Sequence, residues 1–284
     1  MPSVPDNAAP TEVVKRSRGV EVAFEDVWFA YDIAHLAKQK TGVSQESTPV
    51  EWVLKGVSFI ARPGETLALV GHTGAGKTTI VNLLMRFYDP QRGRITINGV
   101  DIRAMPLDEL RSLIGYVQQD IFLFAGDIAT NIRLSNPLSD EDVVKAAAKV
   151  GADRIIRGFP QGYGQVLGER GASISVGERQ LLSFARAIAA NAPLLLLDEA
   201  TSAVDSEIEA EIHAALGVLV SGRTTIAVAH RLSTIANANM ILVLHHGEVA
   251  ERGTHRELLE RGGLYNTLWR LQAGDSEPLL KRAG

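Results

Sequence analysis

The run Gly71-His72-Thr73-Gly74-Ala75-Gly76-Lys77-Thr78 constrains this 284-residue chain more than any other stretch. It follows Thr66-Leu67-Ala68-Leu69-Val70, a short apolar segment bounded by glycines, as expected for a buried parallel strand. After it, Ile80, Val81, Leu84 and Phe87 recur at helical spacing. Strand, G-x-x-x-x-G-K-[ST] and helix in that order make a phosphate loop. Its glycines let the backbone curl so that several N–H groups face one anion, and the helix N-terminus adds its positive end. Lys77 is expected to reach the β- and γ-phosphates and the Thr78 hydroxyl to ligate Mg²⁺, with Thr79 next in the same helix start. A nucleoside triphosphate is the implied ligand.

A second chemical signal lies in Leu194-Leu195-Leu196-Leu197-Asp198-Glu199, where four apolar residues run into two carboxylates. Ligands of a parallel sheet gather at the carboxyl ends of its strands. Asp198 is therefore expected to hold Mg²⁺ opposite Thr78, and Glu199 to polarise a water in line with the γ-phosphate. Adjacent Asp and Glu suit hydrolysis better than a slow binding switch.

Composition removes several other classes. With no cysteine, disulfides, thiol catalysis and cysteine-ligated metals are excluded. The net charge of -4 gives no general attraction to nucleic acid or anionic membrane. No apolar run reaches the length of a membrane span, and the N-terminus lacks an apolar signal core. Residues 1–18, with Lys15-Arg16-Ser17-Arg18, read as a flexible lead, and 273–284 as a flexible tail. A strand is expected over Val20–Tyr31, an insertion over about 32–50, and strand pattern again from Val53. A helix should start at Ser139-Asp140-Glu141-Asp142. Residues 158–171 read as a Gly-rich loop, and Val176–Asn191 as a helix ended by Pro193. Strands follow at Leu194–Leu197, Thr225–Ala229 and Met240–Leu244. The last helix is expected at Thr254-His255-Arg256-Glu257, which has capping-box spacing. Alternating strands and helices predict an α/β fold with a mostly parallel sheet.

Between the phosphate loop and the acidic strand lies Ile174-Ser175-Val176-Gly177-Glu178-Arg179-Gln180. Here the chain resembles the nucleotide-binding domain of ATP-binding cassette (ABC) transporters, whose signature is Leu-Ser-Gly-Gly-Gln. Ser175 and Gly177 match, Ile174 is conservative, and Val176 and Glu178 depart. The resemblance covers about Val20 to Leu271, with the motifs in family order. It implies a P-loop NTPase core, an antiparallel β subdomain and a helical subdomain at about 120–192, within one domain at 19–272. It also implies that Tyr31 stacks on adenine, with Trp28 or Trp52 the next candidates. Gln119 matches the glutamine that touches Mg²⁺ or the attacking water, although Gln118 stands beside it. Ser202-Ala203-Val204-Asp205 resembles the loop that crosses the dimer interface, and His230 the histidine that contacts the γ-phosphate. The ligands so implied are ATP and Mg²⁺.

In this family the signature closes over ATP bound to a second subunit. The resemblance thus implies a head-to-tail pair, each site using Lys77, Glu199 and His230 from one chain with Ser175 and Gly177 from the other. Phe122-Leu123-Phe124-Ala125-Gly126-Asp127-Ile128, Val166-Leu167-Gly168-Glu169-Arg170-Gly171 and Gly247-Glu248-Val249-Ala250-Glu251-Arg252-Gly253-Thr254-His255 resemble the exporter branch. That branch implies a transmembrane partner, a place at the cytoplasmic face of a membrane and no nucleic-acid partner. The chain reads as an excised domain in preference to a separate subunit. Two other classes stay open: a soluble cassette ATPase of DNA repair or translation, and a nucleotide-binding regulatory module without turnover. No sustained heptads favour the repair type, a single cassette disfavours the translation type, and Glu199 with His230 disfavours a module without turnover.

Overall fold

The computed structural model describes residues 19–32, 50–134, 136–167, 174–198, 206–228 and 235–273. The expected insertion at about 32–50, apart from its end residues, lies outside them, as do the lead at 1–18 and all but the first residue of the tail.

Two sheets organise the described residues. In the first, β1 (Val22–Phe29), β2 (Leu54–Ala61), β4 (Arg92–Ile97) and β5 (Val100–Asp101) pair antiparallel in the order β2-β1-β4-β5. The second has the order β12-β11-β3-β10-β9-β6. Its members are β3 (Thr66–Val70), β6 (Ile114–Val117), β9 (Leu194–Asp198), β10 (Thr224–Val228), β11 (Met240–His245) and β12 (Glu248–Gly253). All neighbours pair in parallel except the edge strand β12, which returns antiparallel. The mostly parallel sheet expected from the sequence is present.

The inner parallel strands of the second sheet, β3, β9 and β10, are apolar on both faces because both faces are covered. On one face Leu67, Leu69, Leu194, Leu196, Ile226 and Leu242 join the core of the antiparallel sheet and helix α1 (Lys77–Leu84). There Phe24 and Phe59, opposite each other across β1 and β2, stack with ring centroids 4.5 Å apart. On the other face Leu195, Leu197 and Ala227 meet a helical layer. That layer includes α3 (Ile128–Arg133), α4 (Asp140–Lys149), α5 (Ala152–Gly158), α6 (Val176–Ala190) and α7 (Ser206–Val220); α2 (Leu107–Ser112) precedes it in the chain. Ala68, Val70, Ile241 and Val243 pack on α8 (His255–Arg261) and α9 (Leu264–Ala273). The two sheets are also tied at a buried polar point, where the Thr224 hydroxyl donates to Val20 O at 2.6 Å and accepts from Val20 N at 3.0 Å.

Several expectations are corrected in detail. The first strand is trimmed to Val22–Phe29, and Tyr31 stands just beyond it. The 158–171 stretch is not loop throughout: β8 (Val166–Leu167) pairs antiparallel with β7 (Gly126–Asp127). Helix α6 is closed by Asn191, whose left-handed backbone (φ 48°) lets its N–H reach Ile188 O, two residues before Pro193. The helix capped by Thr254 is not the last, because α9 follows it after Gly262 and Gly263. Its capping box is present, with Thr254 and Glu257 exchanging side-chain to backbone bonds.

Candidate functional site

The second sheet brings separated motifs to one edge through its register. Val70, the last residue of β3, lies opposite Val243; Leu69 lies opposite Val228, and Val228 opposite Asp198. On the far side of β9, Val117 lies opposite Leu197. The carboxyl ends of β3, β10, β9 and β6 therefore stop at a common level. From that level issue the phosphate loop after Val70, the acidic end of β9 at Asp198, and Gln118-Gln119 after β6. β10 ends at Val228, two residues before His230. Glu199, Asp205 and His230 themselves lie outside the described residues.

The phosphate loop is shaped by what surrounds it. A Cβ added at Gly71 would fall on the carbonyl oxygen of Leu244, so the loop leaves β3 with no room for a side chain. Gly76 caps α1 with φ at 106°, a conformation that disfavours L side chains. No side chain caps α1 and no carboxylate sits in its first turn. Its leading N–H groups and positive dipole end are thus open to an anion. His72, Thr73, Gly74 and Thr78 are exposed along the loop, while Ala75 and Thr79 are buried.

Lys77 is buried, and its ammonium donates to Gly71 O at 2.7 Å and His72 O at 2.9 Å. It is thereby held over the start of the loop. Burial lowers its pKa, and the nearby Asp198 carboxylate partly offsets this. Asp198 also accepts a hydrogen bond from the Tyr116 hydroxyl, at 3.4 Å to Oδ2. Burial, reinforced by Asp198, pushes the Tyr116 phenol up to about 12, so it remains a donor at neutral pH. Thr78 and Asp198 offer a hydroxyl and a carboxylate, hard oxygen donors suited to Mg²⁺. The described residues hold no cluster of three His, Asp or Glu side chains able to bind a metal alone. A cation here would come with the phosphates, as Mg²⁺ commonly does.

Tyr31 stands beside the loop with its ring edge-on to Phe29 and Tyr88, at 4.8 and 5.2 Å between centroids. Its hydroxyl pairs with that of Thr79 at 3.1 Å and accepts from Asn82 Nδ2 at 3.4 Å, both on α1. Trp28 and Trp52, the alternatives, instead pack edge-to-face with each other beneath Arg92. Both Gln118 and Gln119 line a cavity of about 30 Å³ together with Asp198 and Gln180. It has room for one or two waters with polar partners. The geometry brings both glutamines to Asp198 and does not choose between them.

Ser175 caps α6, and the departure at Glu178 has a local explanation. Glu178 N donates to Ser175 Oγ at 3.2 Å, and the Glu178 carboxylate accepts from Ser175 N at 2.7 Å. The pair forms a capping box, which satisfies two backbone donors at once. Gly177 is buried behind it, and Ser175 is exposed. Further along α6, Arg186 donates to Asn131 O and Phe122 O, and Asn131 binds both N–H and C=O of Phe124. This fixes a loop that leaves the Phe122 and Phe124 rings about half exposed.

The sequence profile of the ABC transporter family matches residues 54–202. That span takes in the phosphate loop, the signature and the acidic strand end. The chain belongs to the ABC transporter family. This ABC domain is 44% identical over 278 residues to an ATP-dependent lipid A-core flippase of Chromobacterium violaceum, covering 98% of this chain and 44% of the flippase. It is 47% identical over 253 residues to an uncharacterized ABC transporter ATP-binding protein of Bacillus subtilis, covering 89% of this chain and 39% of that protein. Among solved structures it is similar to a bacterial Atm1-family ABC exporter with ATP bound, with a TM-score of 0.80 and 41% identity over 98% of this chain and 45% of that one. The ABC domain thus spans less than half the length of these relatives. It is an ATP-binding ATPase module homologous to those of exporters.

Sequence reasoning missed Tyr116. No motif marks it, and only the pairing of β6 with β9 brings its hydroxyl to Asp198.

Proposed function

We propose that this ABC domain hydrolyses ATP–Mg²⁺ as one of two such domains, paired head to tail, and drives export through transmembrane segments at the cytoplasmic face of a membrane. The observation that carries the reading is the common level of the strand ends, which gathers Lys77, Asp198 and the glutamine pair around one anion-binding loop. Lys77 and the α1 N-terminus hold the phosphates, Thr78 and Asp198 hold Mg²⁺, and Gln119 faces the same cavity as Asp198. Mg²⁺ supplies charge that neutralises the phosphoryl oxygens. Glu199 and His230, next to the ends of β9 and β10, act on the attacking water and the γ-phosphate. Ser175 and Gly177 serve the ATP of the partner domain, the Ser202–Asp205 segment contributes to the pairing of the two domains, and Tyr31 stacks on adenine.

The transmembrane reading is supported by the relatives, one of them described as a lipid A-core flippase and another as an exporter. No helix among the described residues is long and apolar enough to cross a membrane. The exposed Phe122 and Phe124 rings, held by Asn131 and Arg186, are an apolar surface suited to such a contact. Reconstitution with a membrane domain tests the proposal. Stimulated, substrate-dependent ATP hydrolysis is expected, whereas stimulation by DNA or ribosomes would overturn it.

A further inference from the structure

We infer that Tyr116 is a positioning residue for the cation site, holding one oxygen of Asp198 so that the other is presented to the divalent ion. The inference rests on the reading of Asp198 as the Mg²⁺ carboxylate. Tyr116 lies in β6 opposite Leu196 of β9, so its side chain starts two residues short of Asp198 along the neighbouring strand. Its ring is partly buried against the main apolar core, and that packing fixes its direction. From there the hydroxyl reaches forward to Asp198 Oδ2 at 3.4 Å.

At 3.4 Å the contact is longer than the usual O–H···O bond of about 2.5–3.0 Å, so it biases the rotation of the carboxylate weakly. The phenol is a far weaker acid than the carboxyl group, so the carboxylate keeps its charge. A carboxylate at a strand end has two equivalent oxygens and a soft terminal torsion. Engaging Oδ2 makes them inequivalent. Lys77 exerts its attraction on the same carboxylate from the phosphate loop. Asp198 is thus flanked by a fixed hydroxyl on one strand and an ammonium on the loop. Partners that orient a metal-binding carboxylate commonly change metal affinity by about 10–100-fold when removed.

Tyr116→Phe deletes the hydroxyl and keeps the ring in its packing. The test measures affinity for a non-hydrolysable ATP analogue by fluorescence titration, first in EDTA and then across a Mg²⁺ series. The full chain is used, in wild type, Tyr116→Phe, Asp198→Asn and the double variant. Tyr116→Phe should leave the EDTA affinity unchanged and raise the half-saturating Mg²⁺ concentration about tenfold. Because the hydroxyl acts through Asp198, the double variant should match Asp198→Asn alone. An unchanged Mg²⁺ dependence in Tyr116→Phe, with a weakened one in Asp198→Asn, would overturn the role of Tyr116 and leave the Asp198 assignment standing. Unchanged dependence in both would overturn both. A loss already present in EDTA would show that Tyr116 acts on the nucleotide site as a whole, which also refutes the inference.

Discussion

The hydroxyls of Tyr31 and Thr79 lie 3.1 Å apart, joining the residue expected to face adenine to the helix that begins at the phosphate loop. On the proposed reading, base and phosphate contacts are connected through α1. Phe29 and Tyr88 meet the Tyr31 ring at steep angles, and the residue remains 47% exposed.

Tyr31→Ala should therefore weaken ATP binding several-fold while the fold persists, since stacking on a base is worth about 1–3 kcal/mol. Tyr31→Trp should be tolerated. Equal affinities of wild type and Tyr31→Ala in a fluorescence titration would remove Tyr31 from the site.

Glu178 spends its carboxylate on the start of its own helix, through the 2.7 Å bond from Ser175 N. A group so engaged faces its own backbone. Glu178→Gln should change ATP turnover by less than about tenfold, below the loss expected on removing a catalytic acid or base. Glutamine also fits the N3 place of a capping box, so thermal stability should change little. Steady-state hydrolysis and a melting curve check both; a larger rise in turnover would mark Glu178 as a restraint on the site.

Glu199→Gln should retain ATP and Mg²⁺ binding, because Lys77, Thr78 and Asp198 remain. Hydrolysis should fall by roughly 10²–10⁴-fold, the usual contribution of a positioned base. The variant, unable to turn over its ATP, should accumulate as a dimer on sizing chromatography with ATP and Mg²⁺. Lys77→Ala should not, having lost the phosphate grip. A Glu199→Gln chain that hydrolyses at the wild-type rate would refute the base assignment, and an inactive variant that stays monomeric would refute ATP-driven pairing of the isolated domain.

Alkaline stability offers an independent check on packing. Burial raises the phenols of Tyr116, Tyr163 and Tyr265 above their ordinary value of 10.0, and Asp153, 2.7 Å from the Tyr163 hydroxyl, adds to the rise there. The unfolded chain sheds these protons first, so above that value the folded state binds more protons. Stability from this source is complete below pH 10.0 and declines as the pH rises through the raised folded values. Tyr163→Phe should make the urea midpoint fall less steeply above about pH 10 than in wild type. An identical slope would show that Tyr163 does not contribute.

The phosphate loop, the acidic strand end and the parallel strands were legible because each is a local pattern whose chemistry is carried by neighbours in the chain. Thr254 and Ser139 were likewise readable as helix starts, since a cap acts over three residues. What escaped was non-local. The ladder of Val166–Leu167 with Gly126–Asp127 joins segments far apart in the chain, and glycines around it favour a loop reading. Helix α9 was hidden behind Gly262 and Gly263, although Leu264, Leu268 and Trp269 pack as one face of it. Tyr116 could not be linked to Asp198 without knowing that β6 and β9 are neighbours. Nor could the sequence show that Gln118 and Gln119 both line one cavity with Asp198, which also follows from the pairing of β6 with β9.

The shared level at which β3, β10, β9 and β6 end makes the domain sensitive to chain length in an uneven way. One residue gained or lost inside β9 would shift Asp198 by about 3.3 Å and turn it to the opposite face of the sheet. It would also drive a carboxylate or a loop residue into the layer now filled by Leu195 and Leu197. Such a shift would disturb packing and chemistry together. Functional descendants of this chain should therefore keep the spacing within these strands fixed and carry their length differences in the connections between them.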